Sequence, residues 1–236
     1  RVLFRSSGGV AVRPVALTSQ ATRLLAAATR AGLRLHEGPA PAGQRVTFVL
    51  GESTAVLDLA HLVGTHGPAH CRLVVLSRLG AHPDARVPSL QALWRLEESA
   101  RATGAETLTL RTAPIVGEGS PLWAMLRTKP ALPGAGRRLV DPVHERDVVA
   151  TIVQALTVAE WPAGEHWYEL AGSERFTWRE LADLAIAGPG SSATPAWEPG
   201  IEEIAEHRLA ECEPWRTDFA LTPTLISRWA AQEIAS

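Results

Sequence analysis

Few residue types are as scarce in these 236 residues as cysteine, methionine, tyrosine and lysine: two, one, one and one. Cys71 and Cys212 stand far apart, which excludes a disulfide scaffold and a four-cysteine zinc site and points to a reducing, cytoplasmic setting. No apolar run approaches the roughly 18 residues a bilayer span needs, and no secretory core opens the chain. Neither charge dominates: 23 Lys and Arg stand against 25 Asp and Glu, for a net charge of −2. No nucleic acid or membrane partner is therefore expected. The single methionine is Met125, so the chain opens on Arg1 rather than on an initiator. Residues 1–6, RVLFRS, are also the translation of CGT GTG CTC TTC CGA TCT, which resembles the end of a DNA sequencing adapter. A non-native leader over residues 1–6 is expected, with native sequence from Ser7.

With 46% hydrophobic and 20% charged residues, the chain has the composition of a folded globular protein. Apolar runs at Val10–Leu17, interrupted by Pro14, at Arg45–Leu50 and at Arg72–Ser77 read as strands, the first at a sheet edge. Between and after them, helical spacing covers Thr18–Arg30, Ala55–Val63 and Ser89–Thr103, the last carrying Leu90, Leu93, Trp94 and Glu97 and stopping at Gly104. Thr107–Arg111 and Ile115–Val116 follow as a strand and its exit. Strands that alternate with helices and are apolar on both faces predict a parallel sheet covered on two sides, an α/β doubly wound fold. Further on, Glu145–Leu156 reads as a helix and His166–Leu170 as a strand. Thr177 and Glu180 form a capping box before a helix over Arg179–Ile186. Gly188–Gly200 reads as a loop, and helices are expected over Ile201–Ala210 and Thr224–Ala235.

Four segments carry a resemblance. Arg72-Leu-Val-Val-Leu-Ser77 ends on a serine. Glu97–Gly104 (EESARATG) closes a helix. Leu110–Gly117 (LRTAPIVG) is similar to an LRPxxVYG strand and loop. Pro142–Val148 (PVHERDV) is similar to a PVHVDDV signature, and Tyr168–Gly172 with Thr177–Ala182 extends the match. In this order they resemble the extended and atypical short-chain dehydrogenases/reductases, a group of NAD(P)-dependent epimerases, dehydratases and NmrA-like cofactor sensors. The resemblance implies a Rossmann-type core over residues 7–140 and a small C-terminal α/β substrate-side subdomain over residues 141–236, partly interleaved. It implies NAD or NADP as cofactor, with Gly51 near the adenine-side ribose, Ser77 facing the nicotinamide, and Pro114, Ile115 and Val116 backing the ring. The implied activity is that of an oxidoreductase or epimerase on a small-molecule carbonyl or alcohol. The alternative is a non-catalytic, NmrA-like dinucleotide sensor or scaffold. Oligomeric state is left open.

Three departures qualify this reading. No GxxGxxG phosphate turn is present; Gly117-Glu-Gly-Ser120 and Gly134-Ala-Gly136 do not complete one, and loss of a first βα unit of roughly 25–30 residues is the simplest expectation. Counting back from Glu97, the tyrosine and lysine positions of the group fall on Ser89 and Leu93, so the usual proton relay is not encoded. No acidic residue closes the first strand to hold a ribose; Arg13 and Arg23 lie near. Ser77 is then expected to donate a hydrogen bond to the substrate oxygen, and water or an unconventional acid such as His144 to supply the proton.

Other groupings weigh less. His61, His66, His70 and Cys71 resemble a metal cluster, but Gly67-Pro68 breaks the spacing, and no metal is expected. Ser77, His82 and Asp84 lack the elbow of a hydrolase triad. Glu97-Glu98 reads as a solvated helix face paired with Arg95 and Arg101, and only secondarily as a general base. Asp147 reads either as a helix cap or, with His144 and Glu145, as a substrate-positioning group. The six late tryptophans (Trp161, Trp167, Trp178, Trp197, Trp215, Trp229) read as packing rather than as a pocket lining.

Overall fold

The computed structural model describes residues 11–15, 19–33, 45–51, 59–158, 160–161, 167–196 and 209–232. The expected leader over residues 1–6, residues 201–208 of the helix expected over Ile201–Ala210 and residues 55–58 of that expected over Ala55–Val63 lie outside these residues, while Leu209 and Ala210 are described and are not helical.

The α/β architecture predicted from the alternating pattern is present. A five-stranded sheet has the order β1-β2-β3-β4-β8, formed by Ala11–Val15, Val46–Leu50, Cys71–Arg78, Glu106–Thr112 and Trp167–Leu170. β1, β2 and β3 pair in parallel, with Val46 opposite both Ala11 and Cys71. Among the described residues β1, which carries Pro14, stands at the edge of the sheet, a position that tolerates proline. Every residue of β2 is buried, as expected of a strand covered on both faces.

By contact the chain divides into two compact units: Arg1–Arg111 with Val149–Tyr168, and Thr112–Val148 with Glu169–Ser236. Residues 112–140 thus fall in the second unit rather than with the strands that precede them. In unit 1, α1 (Ser19–Arg30), α2 (Leu59–Gly64) and α3 (Pro88–Ala102) accompany the strands. Phe48, Leu50, Leu73 and Val75 pack with Leu59, Val63 and Ala100 on one face. Gly104, at φ +72°, ends α3 in a conformation that favours glycine. The unit boundary cuts α5 (Glu145–Thr157) after Val148, and β8 after Tyr168.

Arg72, the second residue of β3, is fully buried in unit 1. Its Nη1 donates to the Val158 carbonyl at 2.9 Å, past the end of α5, and its guanidinium stacks 3.8 Å from the Trp161 ring. Glu106, half exposed, lies 3.2 Å from Nε. Burial lowers the Arg72 pKa, with Arg45 adding to it and Glu106 opposing. This is a charge held by packing and one helix-end carbonyl more than by an ion pair.

Unit 2 is built on tryptophan. α4 (Pro121–Arg127), α6 (Trp178–Ala187) and the C-terminal α8 (Ile226–Gln232) enclose Trp123, Trp178 and Trp229, with Val116, Val140 and Leu181. Trp215, in α7 (Glu213–Asp218), is fully buried as well. Of the six late tryptophans, Trp178, Trp215 and Trp229 are buried in packing, whereas Trp167 is 39% exposed and Trp197 lies outside the described residues. The capping box at Thr177 and Glu180 is present, with Glu180 N–H donating to Thr177 Oγ1 at 3.1 Å and Thr177 N–H to Glu180 at 2.7 Å. α8 begins at Ile226 rather than at Thr224, because Thr224 is engaged elsewhere, as described below.

Replacing Arg72 by alanine is expected to lower unfolding stability by about 3 kcal/mol, since it opens a cavity and orphans a helix-end carbonyl. Glu106→Gln is expected to cost under about 1 kcal/mol. Urea unfolding of the two variants distinguishes a packing role from an ion-pair role.

Candidate active site

Gly51 and Ser77 lie at the C-terminal ends of β2 and β3, where open α/β sheets bind their ligands. Ser77 is 2% exposed, and its Oγ donates to Glu97 Oε1 at 2.6 Å. Glu97 is the largest departure from the sequence reading. It is fully buried, not solvated. Its place on α3, four residues after Leu93 and seven after Leu90, puts it on the buried stripe of that helix. The charge is tolerated there because donors converge on it. Arg111 on β4 donates from Nε at 3.1 Å and from Nη2 at 2.6 Å, and Arg101 adds a contact at 3.4 Å. Arg101 also reaches Glu98, as expected. The Arg111 guanidinium lies over Trp167 at 4.9 Å.

The Ser77 hydroxyl proton is committed to the Glu97 carboxylate, whereas the expected role has it donated to a substrate oxygen. The hydrolase triad does not assemble: Ser77 turns to Glu97, while His82 and Asp84 pair loosely at the surface, 3.8 Å apart. Leu93, at the lysine position, is buried among Ala81, Val87 and Leu90.

Pro114, Ile115, Val116 and His144 fall in unit 2. β5 (Ile115–Val116) runs parallel to β7 (Val143–His144), with Val116 opposite His144. The Pro114 carbonyl accepts from Val143 N–H at 3.1 Å, and the Ile115 carbonyl accepts from Ser120 Oγ at 2.7 Å. Val116 belongs to the tryptophan cluster, so its side chain serves the core. The His144 ring meets Trp229 edge-on, with centroids 4.7 Å apart. Its Nδ1 accepts the Arg146 N–H at 3.2 Å, which assigns the ring proton to Nε2. Nε2 is buried without a partner among the described residues. Burial, with Arg146 adding to it, pushes the His144 pKa down to about 4. At neutral pH the ring is uncharged. The neutral ring carries its one proton on Nε2, whereas the expected acid role calls for an imidazolium.

Asp147 neither caps a helix in the expected manner nor stands open for substrate. Its carboxylate accepts from Thr224 N–H at 2.7 Å and from Thr224 Oγ1 at 2.8 Å, while Arg146 Nε donates to that same hydroxyl at 2.6 Å. Burial raises the Asp147 pKa, and the Thr224 hydrogen bonds pull it back down. Among the described residues no group of three or more His, Cys, Asp and Glu is placed to hold a metal ion.

A dinucleotide fits these residues unevenly. The strand-end serine suits a polar ligand head. A pyrophosphate needs a glycine cradle, and the sequence holds no glycine between Val10 and Ala31. The described glycines with room for a Cβ, such as Gly32 and Gly104, end helices instead. α1 has no acidic residue in its first turn, so its dipole still favours an anion.

No family model matches the chain, and neither does any curated protein sequence. Solved structures do share its fold. MoeE5 in complex with UDP-glucose and NAD is 18% identical, with a TM-score of 0.63 over 96% of this chain and 98% of that one. Bordetella bronchiseptica WbmG in complex with NAD is 14% identical, with a TM-score of 0.60 over 99% and 95%. The Thermotoga maritima UDP-glucose 4-epimerase with UDP-glucose is 13% identical, with a TM-score of 0.55 over 96% and 97%. At these identities the likeness is one of fold alone, the Rossmann-type α/β fold.

Two outcomes test the site. Glu97→Ala is expected to destabilise by about 3–5 kcal/mol by leaving Arg111 uncompensated, and Arg111→Leu added to it to restore part of that loss. His144 contributes stability that is complete above its unfolded pKa of roughly 6.5 and is lost as pH falls through its folded value of about 4. The loss from this residue amounts to about 3 kcal/mol, and His144→Phe is expected to flatten that part of the stability–pH curve.

Proposed function

We propose that the chain is an NAD(P)-binding oxidoreductase or epimerase of the short-chain dehydrogenase/reductase type, acting on a hydroxyl or carbonyl of a sugar nucleotide or a similar small molecule. The observation that carries this reading is Ser77, a buried hydroxyl at the end of a central parallel strand, fixed by Glu97 at 2.6 Å. The complexes of like fold, with NAD and UDP-glucose bound, support the ligand class. The sensor alternative draws no support from these neighbours, which include an epimerase and dehydratases.

A bound nicotinamide would supply hydride exchange with the substrate carbon. The chain's own contribution begins with orientation. Ser77 accepts the substrate hydroxyl proton in a hydrogen bond, its own proton being held on Glu97. Gly51, at the end of β2, would stand beside the cofactor. With serine and leucine at the tyrosine and lysine positions, proton exchange falls to water rather than to a phenol.

Titration with NADH, read by energy transfer from tryptophan, together with turnover of UDP-glucose, tests the reading. Ser77→Ala is expected to leave cofactor binding unchanged and to lower turnover by about 100-fold. Absence of binding by both NADH and NADPH would falsify the cofactor assignment, and unchanged turnover would remove Ser77 from the reaction.

A further inference from the structure

α4 ends at Arg127, and Lys129 follows with φ +56°, a left-handed position usually given to glycine or asparagine. Of the 23 basic side chains this is the only lysine. Pro130 then leads the chain into a left-handed turn at Gly134, Ala135 and Gly136. Gly136 is buried at φ +72°, and a Cβ there would stand 2.8 Å from Leu132 Cδ1 and 3.0 Å from the Arg179 backbone nitrogen. The loop is thereby seated directly on the first turn of α6.

Between the seated loop and α6 lies an open pocket of about 350 Å³ within unit 2. Pro130, Leu132 and Ile186 give it apolar walls, and Lys129, Arg179 and Asp183 give it a charged rim. Arg179 and Asp183 are one helical turn apart on α6, yet no ion pair joins them, and neither Lys129 nor Arg179 pairs with any other described residue. Two cations against one carboxylate leave the rim with one net positive charge. The volume is that of a small-molecule site, and apolar walls with a few convergent polar groups are the usual lining of one.

We propose that this cavity binds a small organic acid: an apolar body against Leu132 and Ile186, and a single carboxylate between Lys129 and Arg179. Asp183 matches the rim to a monoanion and disfavours a dianionic phosphate. The site is separate from the residues assigned to the reaction above and does not depend on that assignment.

The lone lysine supplies its own probe. Reductive ¹³C-dimethylation keeps the ammonium charge and places one labelled side chain on the protein, resolved from the α-amino group by its pKa and shift. Titration with octanoate is expected to move the Lys129 resonance saturably, with 1-octanol and inorganic phosphate each at least tenfold weaker. Arg179→Gln, shown folded by circular dichroism, is expected to weaken octanoate at least tenfold. The proposal is overturned by the absence of a saturable shift, by equal affinity in R179Q, or by inorganic phosphate binding as well as octanoate. Tighter binding of phenyl phosphate than of octanoate would overturn the monoanion assignment.

Discussion

A buried carboxylate has to be neutralised or solvated, and in this protein that requirement organises unit 1 around Glu97. Three elements answer it: β3 through Ser77, β4 through Arg111, and α3 itself through Arg101. None of these contacts is local in sequence except the one within the helix, so the carboxylate ties the C-terminal ends of neighbouring strands to the helix that covers them. An apolar residue at position 97 would pack there, but it would leave Arg111 partly buried without a partner and Ser77 free to rotate. The ion pair is thus a device for fixing one hydroxyl, at a cost in desolvation that the paired guanidinium offsets.

Unit 2 solves a different problem. Its core is made of large indole rings, which fill volume but bring N–H groups with them: Trp123 donates to the Pro189 carbonyl at 3.2 Å, while the Trp178 N–H is buried without a partner among the described residues. Its C-terminal segment is fixed by polar contacts: Thr224 on Asp147, and Ala210 N–H, with Arg175, on Asp141. Two buried aspartates therefore hold the end of the chain, and both lie in or beside the segment that carries His144.

Much of this was legible in the sequence, and the reasons differ by element. The buried strands β2 and β3, the helices α3, α5 and α6, and the capping box at Thr177 follow from periodicity and local hydrogen bonding, which short windows encode. Glu97 was misread because a glutamate next to another glutamate looks solvated. Its spacing from Leu90 and Leu93 was the contrary signal, and Arg111 at the end of an apolar strand was the second. Thr224 offered no signal for Asp147, because a contact between residues 77 apart leaves no mark on either neighbourhood. His144 was placed correctly in its motif, but its neutrality depends on burial beside Trp229, which composition does not reveal. The Lys129 cavity was hidden for the same reason, its walls coming from a loop and a helix some fifty residues apart.

The contact between Arg72 and Val158 spans 86 residues. On a ribosome moving at about 5–20 residues per second, Arg72 waits on the order of ten seconds before its carbonyl and its stacking ring exist. Until then β3 carries a charged side chain on a face that the finished protein keeps dry. That face of β3 gains its carbonyl and its ring only once the end of α5 and Trp161 have been made.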